Sequence, residues 1–281
     1  MVRLPSVIIL IFLLLHHPSI CSAQSIYTDF ERDKRLNLEI VKPAISSNLY
    51  NSAVNSSFLN SSIFFTTHIP FWEKYLFIAE LPFAYANVDL ADFRSANIKG
   101  TTIGNLYLGF QSYLEDTPAL MTEFGIRLPL AAKENNGTVI GEISDLIERA
   151  EAFTPGILSV HGMLNYFRKN SSGYSLRARL GPIFWFNTNE NSSLGPDVFF
   201  VYGVAFGMDQ EIVRVKGGVN GRLSTIQNSL NSGKRFFHQF GIHIDFGAAK
   251  VKPGFSLRVP LNRNYENIID YSFGFNLSYL M

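Results

Sequence analysis

Thiol chemistry is almost missing from this chain: among its 281 residues there is one cysteine, Cys21. A disulfide framework and a multi-cysteine metal centre are thereby excluded. Charge of one sign is missing too, because 24 Lys and Arg face 23 Asp and Glu, for a formal net charge of +1. Such a balance gives no footing for a nucleic-acid partner. There is no Gly-rich phosphate loop, and Gly217-Gly218 reads as close packing inside a strand. Past residue 23 no apolar run reaches the roughly 20 residues of a transmembrane helix. No cofactor is expected, and His238 and His243, five apart, would point to opposite strand faces and make a poor metal pair.

The one long apolar run stands at the beginning. Arg3 supplies a positive charge, Val7 to Leu15 is unbroken hydrocarbon, and Cys21-Ser22-Ala23 ends in small residues. These are the three parts of a cleaved secretory signal, read over residues 1–23. Cleavage after Ala23 would remove the only thiol. The remainder, 24–281, is read as one domain.

That remainder is rich in Phe and Tyr and alternates apolar with small or polar residues nearly throughout, a period of two that specifies strands. Twelve alternating segments can be marked: 36–50, 57–70, 73–87, 101–114, 117–131, 155–169, 173–188, 196–208, 211–224, 234–247, 250–262 and 267–281. The breaks between them alternate in length. Short ones fall at Phe71-Trp72, Glu115-Asp116, Asn170–Ser172, Asp209-Gln210 and Ala248-Ala249, and longer ones lie between. Tight turns at one end and extended loops at the other are the habit of transmembrane barrels. The predicted fold is all-β, an antiparallel up-and-down transmembrane barrel of twelve strands.

The last strand shows the face assignment plainly. Tyr271, Phe273, Phe275, Leu277, Tyr279 and Met281 share one side, and Ser272, Gly274, Asn276 and Ser278 the other. The greasy side would meet outer-membrane lipid, and the strand would close on the first and serve as the handle for the barrel-assembly machinery. Basic side chains at a lipid-facing midplane cost about 2–4 kcal/mol, so they belong inside. The candidate lumen lining is therefore Arg127, Arg177, Arg179, Arg214, Lys216, Arg222, Lys252 and Arg258, opposed by Glu80, Glu123 and Asp245. Ile183 and Trp185 break the polar face near a loop end. Pro82 and Pro182 lie inside strands and are expected at bulges or bends.

Loop 132–154 carries a short helical pattern. Val139, Ile143, Leu146, Ile147 and Ala150 recur on one side, and Glu142, Asp145, Glu148 and Glu151 largely on others. Two placements stay open, the pore mouth and the extracellular rim.

Ile103-Gly104-Asn105-Leu106-Tyr107-Leu108-Gly109-Phe110 resembles the Gly-Asp-Leu strand of a bacterial outer-membrane barrel family named for the meta-pathway of phenol degradation. Phe124-Gly125-Ile126-Arg127-Leu128-Pro129 is similar to that family's Leu-Pro strand end. Asn105 stands where the family carries an acid, and Leu130-Ala131 where Thr-Gly follows the proline. The resemblance implies a barrel and transport across the membrane, without implying phenol.

Twelve strands lie between the eight that side chains fill and the sixteen to eighteen that leave a wide channel. The leading expectation is a passive outer-membrane channel for small solutes, anionic or aromatic, since basic linings favour anions. One alternative is a structural or adhesive barrel with a plugged lumen, in which Arg–Glu and Arg–Asp pairs brace the inside. The other is a membrane-embedded lipid hydrolase, for which Ser159 and His161 are the nearest candidates; their order is the reverse of the His-x-Ser of outer-membrane phospholipases. Asn55, Asn60, Asn136, Asn170 and Asn191, each opening an Asn-x-Ser/Thr triplet, read as polar loop composition.

Overall fold

The computed structural model describes residues 34–46, 54–56, 60–90, 97–114, 117–133, 135–188, 196–225, 236–247, 250–262 and 268–281. The leader read over 1–23 lies outside them, as do the turns at Glu115-Asp116 and Ala248-Ala249, Asn191, and most of the first connection.

Among the described residues, fourteen strands form one antiparallel sheet. They are β1 (Arg35–Ile45), β2 (Val54–Ser56), β3 (Ser61–Phe71), β4 (Tyr75–Leu90), β5 (Asn97–Ile103), β6 (Leu106–Leu114) and β7 (Thr117–Leu128). They continue as β8 (Ile157–Lys169), β9 (Tyr174–Asn187), β10 (Asp197–Asp209), β11 (Val213–Ser224), β12 (Phe236–Phe246), β13 (Val251–Pro260) and β14 (Ile269–Leu280). Each pairs with its sequence neighbours except β2, which stands outside the ring on the end of β4, and β5 and β6, which together make one stave beside β4. β14 pairs with β1 from Arg35↔Leu280 to Ile45↔Ile269, so the ring closes at twelve staves. A closed ring leaves no sheet edge.

Alternation decides which side each residue takes. Along β14, Tyr271, Phe273 and Tyr279 are exposed and Ser272 is buried. Along β13, Phe255, Leu257 and Val259 face out while Lys252, Ser256 and Arg258 are buried. This barrel is greasy outside and polar inside, the inverse of a soluble one. Connections at one rim are tight, at 72–74, 170–173 and 210–212; those at the other are long, at 129–156, 188–196 and 225–235. Trp72 turns the first tight corner with φ 50, and its exposed ring meets Phe71 and Tyr75. Aromatics at this level suit a membrane interface.

The two prolines expected at bulges or bends differ from one another. Beside Pro82 the irregularity lies in the partner stave, where three residues, 104–106, oppose Leu81 and Pro82. Gly104 donates to the Pro82 carbonyl across this interruption at 2.7 Å. At Pro182 there is no bulge at all. Pairing with β10 runs through Phe200↔Pro182 in constant register, and pairing with β8 skips from His161↔Ile183 to Leu164↔Leu180 without a shift. The missing N–H costs rungs of ladder without changing the count.

Inside, Tyr107 lies across Gly109 and Gly125, where any Cβ would collide with its ring. Its hydroxyl donates to Glu123 Oε1 at 3.0 Å. A large ring over glycines restores the packing that those glycines give up. Among the described residues no helix is long and apolar enough to cross a membrane.

Candidate functional site

The connection between β7 and β8 folds into the barrel. It opens with α1 (Asn136–Ser144), continues as a turn, and ends in a 3-10 turn, Ala150–Ala152. Asn135 caps α1, its side chain accepting from the Gly137 N–H at 2.8 Å. The helical pattern read from sequence therefore breaks in two. Val139, assigned to its apolar side, is exposed, whereas Ile140, Ile147, Ala152 and Phe153 are buried. Phe153 packs with Val41, Phe64 and Ala84 of the β1–β4 wall. Of the two placements the interior is the one found.

Asn105 fastens this loop. It sits in the β5/β6 interruption, and its Nδ2 donates to the carbonyls of Glu151 and Thr154, both at 2.8 Å. Its Oδ1 accepts from the Ala131 N–H at 2.7 Å, and its own N–H bonds the Ala152 carbonyl at 2.6 Å. Gly104 lets the loop come so near, since a side chain there would strike the Ala152 carbonyl. An aspartate at 105 could not donate to two carbonyls.

The loop brings its charges against the inward faces of the strands, in the half of the lumen nearer the long-loop rim. Arg149 reaches Glu39 at 2.6 Å, Glu80 at 3.2 Å and Asp145 at 2.6 Å, with its guanidinium 3.6 Å above the Phe64 ring. Arg258 reaches Glu39 at 2.5 Å and touches Asp145 at 3.1 Å and Glu148 at 3.8 Å. The last two are ion contacts without hydrogen-bond alignment. Arg127 pairs with Glu80 at 2.8 Å, Arg222 with Glu151 at 2.5 Å, and Asn220 donates to Glu148 at 2.5 Å. Five carboxylates and four guanidiniums thus connect β1, β4, β7, β11 and β13 through one loop. Burial raises the Glu151 carboxyl, but Arg222, with His161 and Arg127, outweighs it and holds the group at about 2. Burial likewise lowers the Arg149 guanidinium, and Glu39, Asp145, Glu80 and Glu148 more than reverse that, so it stays raised and charged.

Toward the short-turn rim the arrangement changes. The inward face there presents Arg35, Arg177, Arg179, Arg214, Lys216 and Lys252 against Glu123, Asp209 and Asp245; all are buried except half-buried Arg214. Lys216 meets Asp245 at 3.2 Å, and His243 Nε2 meets the same carboxylate at 2.8 Å. Arg179 donates to Asn165 at 3.2 Å, and Arg177 lies 4.9 Å from the Phe167 ring centre. Basic residues exceed acids two to one among the described residues of this half.

The structure thus divides the eleven candidates. Arg127, Arg222, Arg258 and Glu80 join the loop network; Arg177, Arg179, Arg214, Lys216, Lys252, Glu123 and Asp245 lie on the other half. Sequence reasoning missed Glu39, Asp145, Glu148, Arg149 and Glu151, the acids and base that do most of the pairing. Ile183, the exception on the polar face, packs inside against Met163, Phe199 and Val201, with Trp185 beside them.

Ser159 Oγ and His161 Nε2 are 2.8 Å apart, both fully buried on the inner face of β8. His161 Nδ1 has no hydrogen-bond partner among the described residues, so no acid or amide there takes the orienting role of a triad. His243 faces in and His238 out, bonded to Tyr202, as their spacing required. Among the described residues no three His, Cys, Asp or Glu side chains converge as a metal site.

No family model matches the chain, and no curated protein does. Solved structures do. An outer-membrane channel from Pseudomonas putida F1 is similar with TM-score 0.58 at 10% identity, over 91% of this chain and 98% of that one. The porin NanC gives 0.54 at 4% identity, over 88% and 100%. The translocator domain of the autotransporter NalP from Neisseria meningitidis gives 0.54 at 9%, over 91% of each. At these identities what is shared is the fold, that of bacterial outer-membrane barrels.

Proposed function

We propose that this chain is an outer-membrane channel passing small solutes, with a preference for anions set by its short-turn half. The observation that carries the reading is the excess of inward-facing basic residues there, beside a loop whose own charges are matched. Linings in which basic side chains outnumber acids favour anions in pores. The resemblance of Ile103–Phe110 and Phe124–Pro129 to a family of transport barrels supports the same reading, as does the similarity to a channel and a porin. Residues 1–23 act as the cleaved leader in this account, and β14 as the segment that the assembly machinery engages. An aromatic solute is favoured by the inner patch of Ile183, Phe199 and Trp185.

A plugged structural barrel is the second reading, favoured by the ion pairs that cross the lumen through Arg149. Planar-bilayer recording of the purified chain separates the two. Discrete conductance steps with an anion-favouring reversal potential support the channel, and a silent membrane supports the plug. Liposome swelling with anionic, neutral and aromatic solutes would then rank the solutes. Ester hydrolysis by detergent-solubilised protein, abolished by Ser159→Ala, would revive the hydrolase instead.

A further inference from the structure

The inner face of the β8–β11 wall carries an apolar patch with a cation on it. Pairing sets Ser159 opposite Trp185, His161 opposite Ile183, Ile183 opposite Phe199, and Val201 opposite Arg222. Alternation turns all of these side chains inward. The Trp185 and Phe199 ring centres lie 4.6 Å apart, and the Arg222 guanidinium stands 5.7 Å from the first and 5.1 Å from the second. Aromatic faces attract a cation, so the guanidinium is held beside a greasy floor.

Among the described residues one carboxylate pairs with Arg222, and it belongs to the loop. Glu151 Oε2 accepts from Arg222 Nη2 at 2.5 Å. Its other oxygen, Oε1, has no hydrogen-bond partner among the described residues, and neither do Arg222 Nε, Trp185 Nε1 and His161 Nδ1, all of them buried. His161 and Arg127 also act on the Glu151 carboxyl. A buried donor left without a partner costs about 1–3 kcal/mol, which a ligand that satisfied it would recover. An arginine fork takes a carboxylate best through two parallel N–H bonds. Glu151, tied by its own carbonyl to Asn105, engages one of them. An untethered carboxylate can take Nε and Nη2 together while its body lies on the rings.

We propose that this patch is a seat for a small aromatic carboxylate, its charge on the Arg222 fork and its ring against Trp185 and Phe199, with Glu151 as a built-in competitor. The charge is selected because the group seated there is itself a carboxylate, and the apolar body because Ile183, Phe199 and Val201 make the floor. Arrival of such an anion displaces Glu151 and releases the turn Ala150–Ala152 from β11. The inference rests on the reading of the lumen as a path for small anionic or aromatic solutes, and narrows their class.

Tryptophan fluorescence of the full chain in detergent, titrated with benzoate, tests it. The sequence has two tryptophans, so a Trp72→Phe background leaves Trp185 as the reporter. A saturable change in emission is expected with benzoate, and none with acetate or benzyl alcohol at the same concentrations. Glu151→Gln weakens the competitor and should tighten benzoate binding about tenfold, as when a tenth-populated competent state becomes the main one. Misfolding does not produce a gain of affinity. Arg222→Met should abolish saturation, and bound benzoate should speed protease cleavage within 133–154. Equal responses to acetate or benzyl alcohol, or a Glu151→Gln affinity no tighter than the parent's, would overturn the proposal. So would the lack of a saturable response in both proteins. Binding is read without a membrane, so a silent planar bilayer would sink the channel reading and leave the seat standing, and a conducting barrel that ignores benzoate would do the reverse.

Discussion

The two halves of the lumen draw on the same residue types and arrange them in opposite ways. Near the long-loop rim, Glu39, Glu80, Asp145, Glu148 and Glu151 are interleaved with Arg127, Arg149, Arg222 and Arg258, at distances from 2.5 to 3.8 Å. Near the short-turn rim, Arg177, Arg179, Lys216 and Lys252 share the inward face with Glu123, Asp209 and Asp245, and bases outnumber acids. The difference comes from the loop. Strand residues alone would make both halves basic, and the loop supplies Asp145, Glu148 and Glu151 to one half only. A charge-balanced network holds the loop in place, whereas in the proposed channel a lining richer in bases than acids would favour anions. In the proposed channel, gate and selectivity would fall to different ends of one barrel.

Breaking the matched half should have the largest effect. Arg149→Met leaves Glu39, Glu80 and Asp145 without their shared partner, and removing one member of a buried pair costs about 3–5 kcal/mol. The loop should come loose, seen as cleavage by added protease within 133–154 and as a several-fold rise in conductance. Acid should do much the same without mutation. Glu151 is held at about 2, below its ordinary value of 4.5. A lowered carboxylate stabilises fully above its unfolded value and loses that contribution as pH falls toward the folded one. Loop closure should therefore be constant above about pH 5 and weaken progressively from there toward pH 2, by up to about 3 kcal/mol from this group. Conductance recorded against pH would follow it, and a flat profile would count against the Arg222–Glu151 pair as a latch.

Asn105→Asp sharpens the comparison by cutting the fastening alone. It replaces two donated bonds with an acceptor facing the Glu151 and Thr154 carbonyls, a loss of about 1–3 kcal/mol. The loop should open more often while the basic half keeps its preference. The smallest effect belongs to Lys252→Gln, which removes one cation from the more basic half. It should lower anion preference modestly and leave conductance and loop protection as they were.

Much of this architecture could be read from the residues. Period-two alternation fixes which side faces out, so Phe273 and Ser272, or Leu257 and Arg258, sort themselves without any knowledge of neighbours. The short–long rhythm of the breaks gives the topology. What alternation cannot show is which inward residues meet across the lumen. Glu39 and Arg258 lie at opposite ends of the chain and touch only because β1 closes on β14 and lies two staves from β13. Asp145, Glu148 and Glu151 could be read only as the polar sides of a loop helix at the pore mouth or the rim, since helical periodicity records that a face is polar and is silent on whether water or arginine satisfies it. Asn105 drew notice only as a replaced acid. Its role became visible with the loop carbonyls it binds, which lie more than forty residues away in sequence.

Ion selectivity tests the division of labour most directly. With a salt gradient of potassium chloride across a planar bilayer, the wild-type reversal potential should take the sign of chloride preference. That sign should persist in Arg149→Met despite its larger conductance, and should diminish or invert in Lys216→Glu/Lys252→Glu. A cation-favouring potential in the wild type, or one that changes sign on loosening the loop and ignores the lysines, would contradict the account.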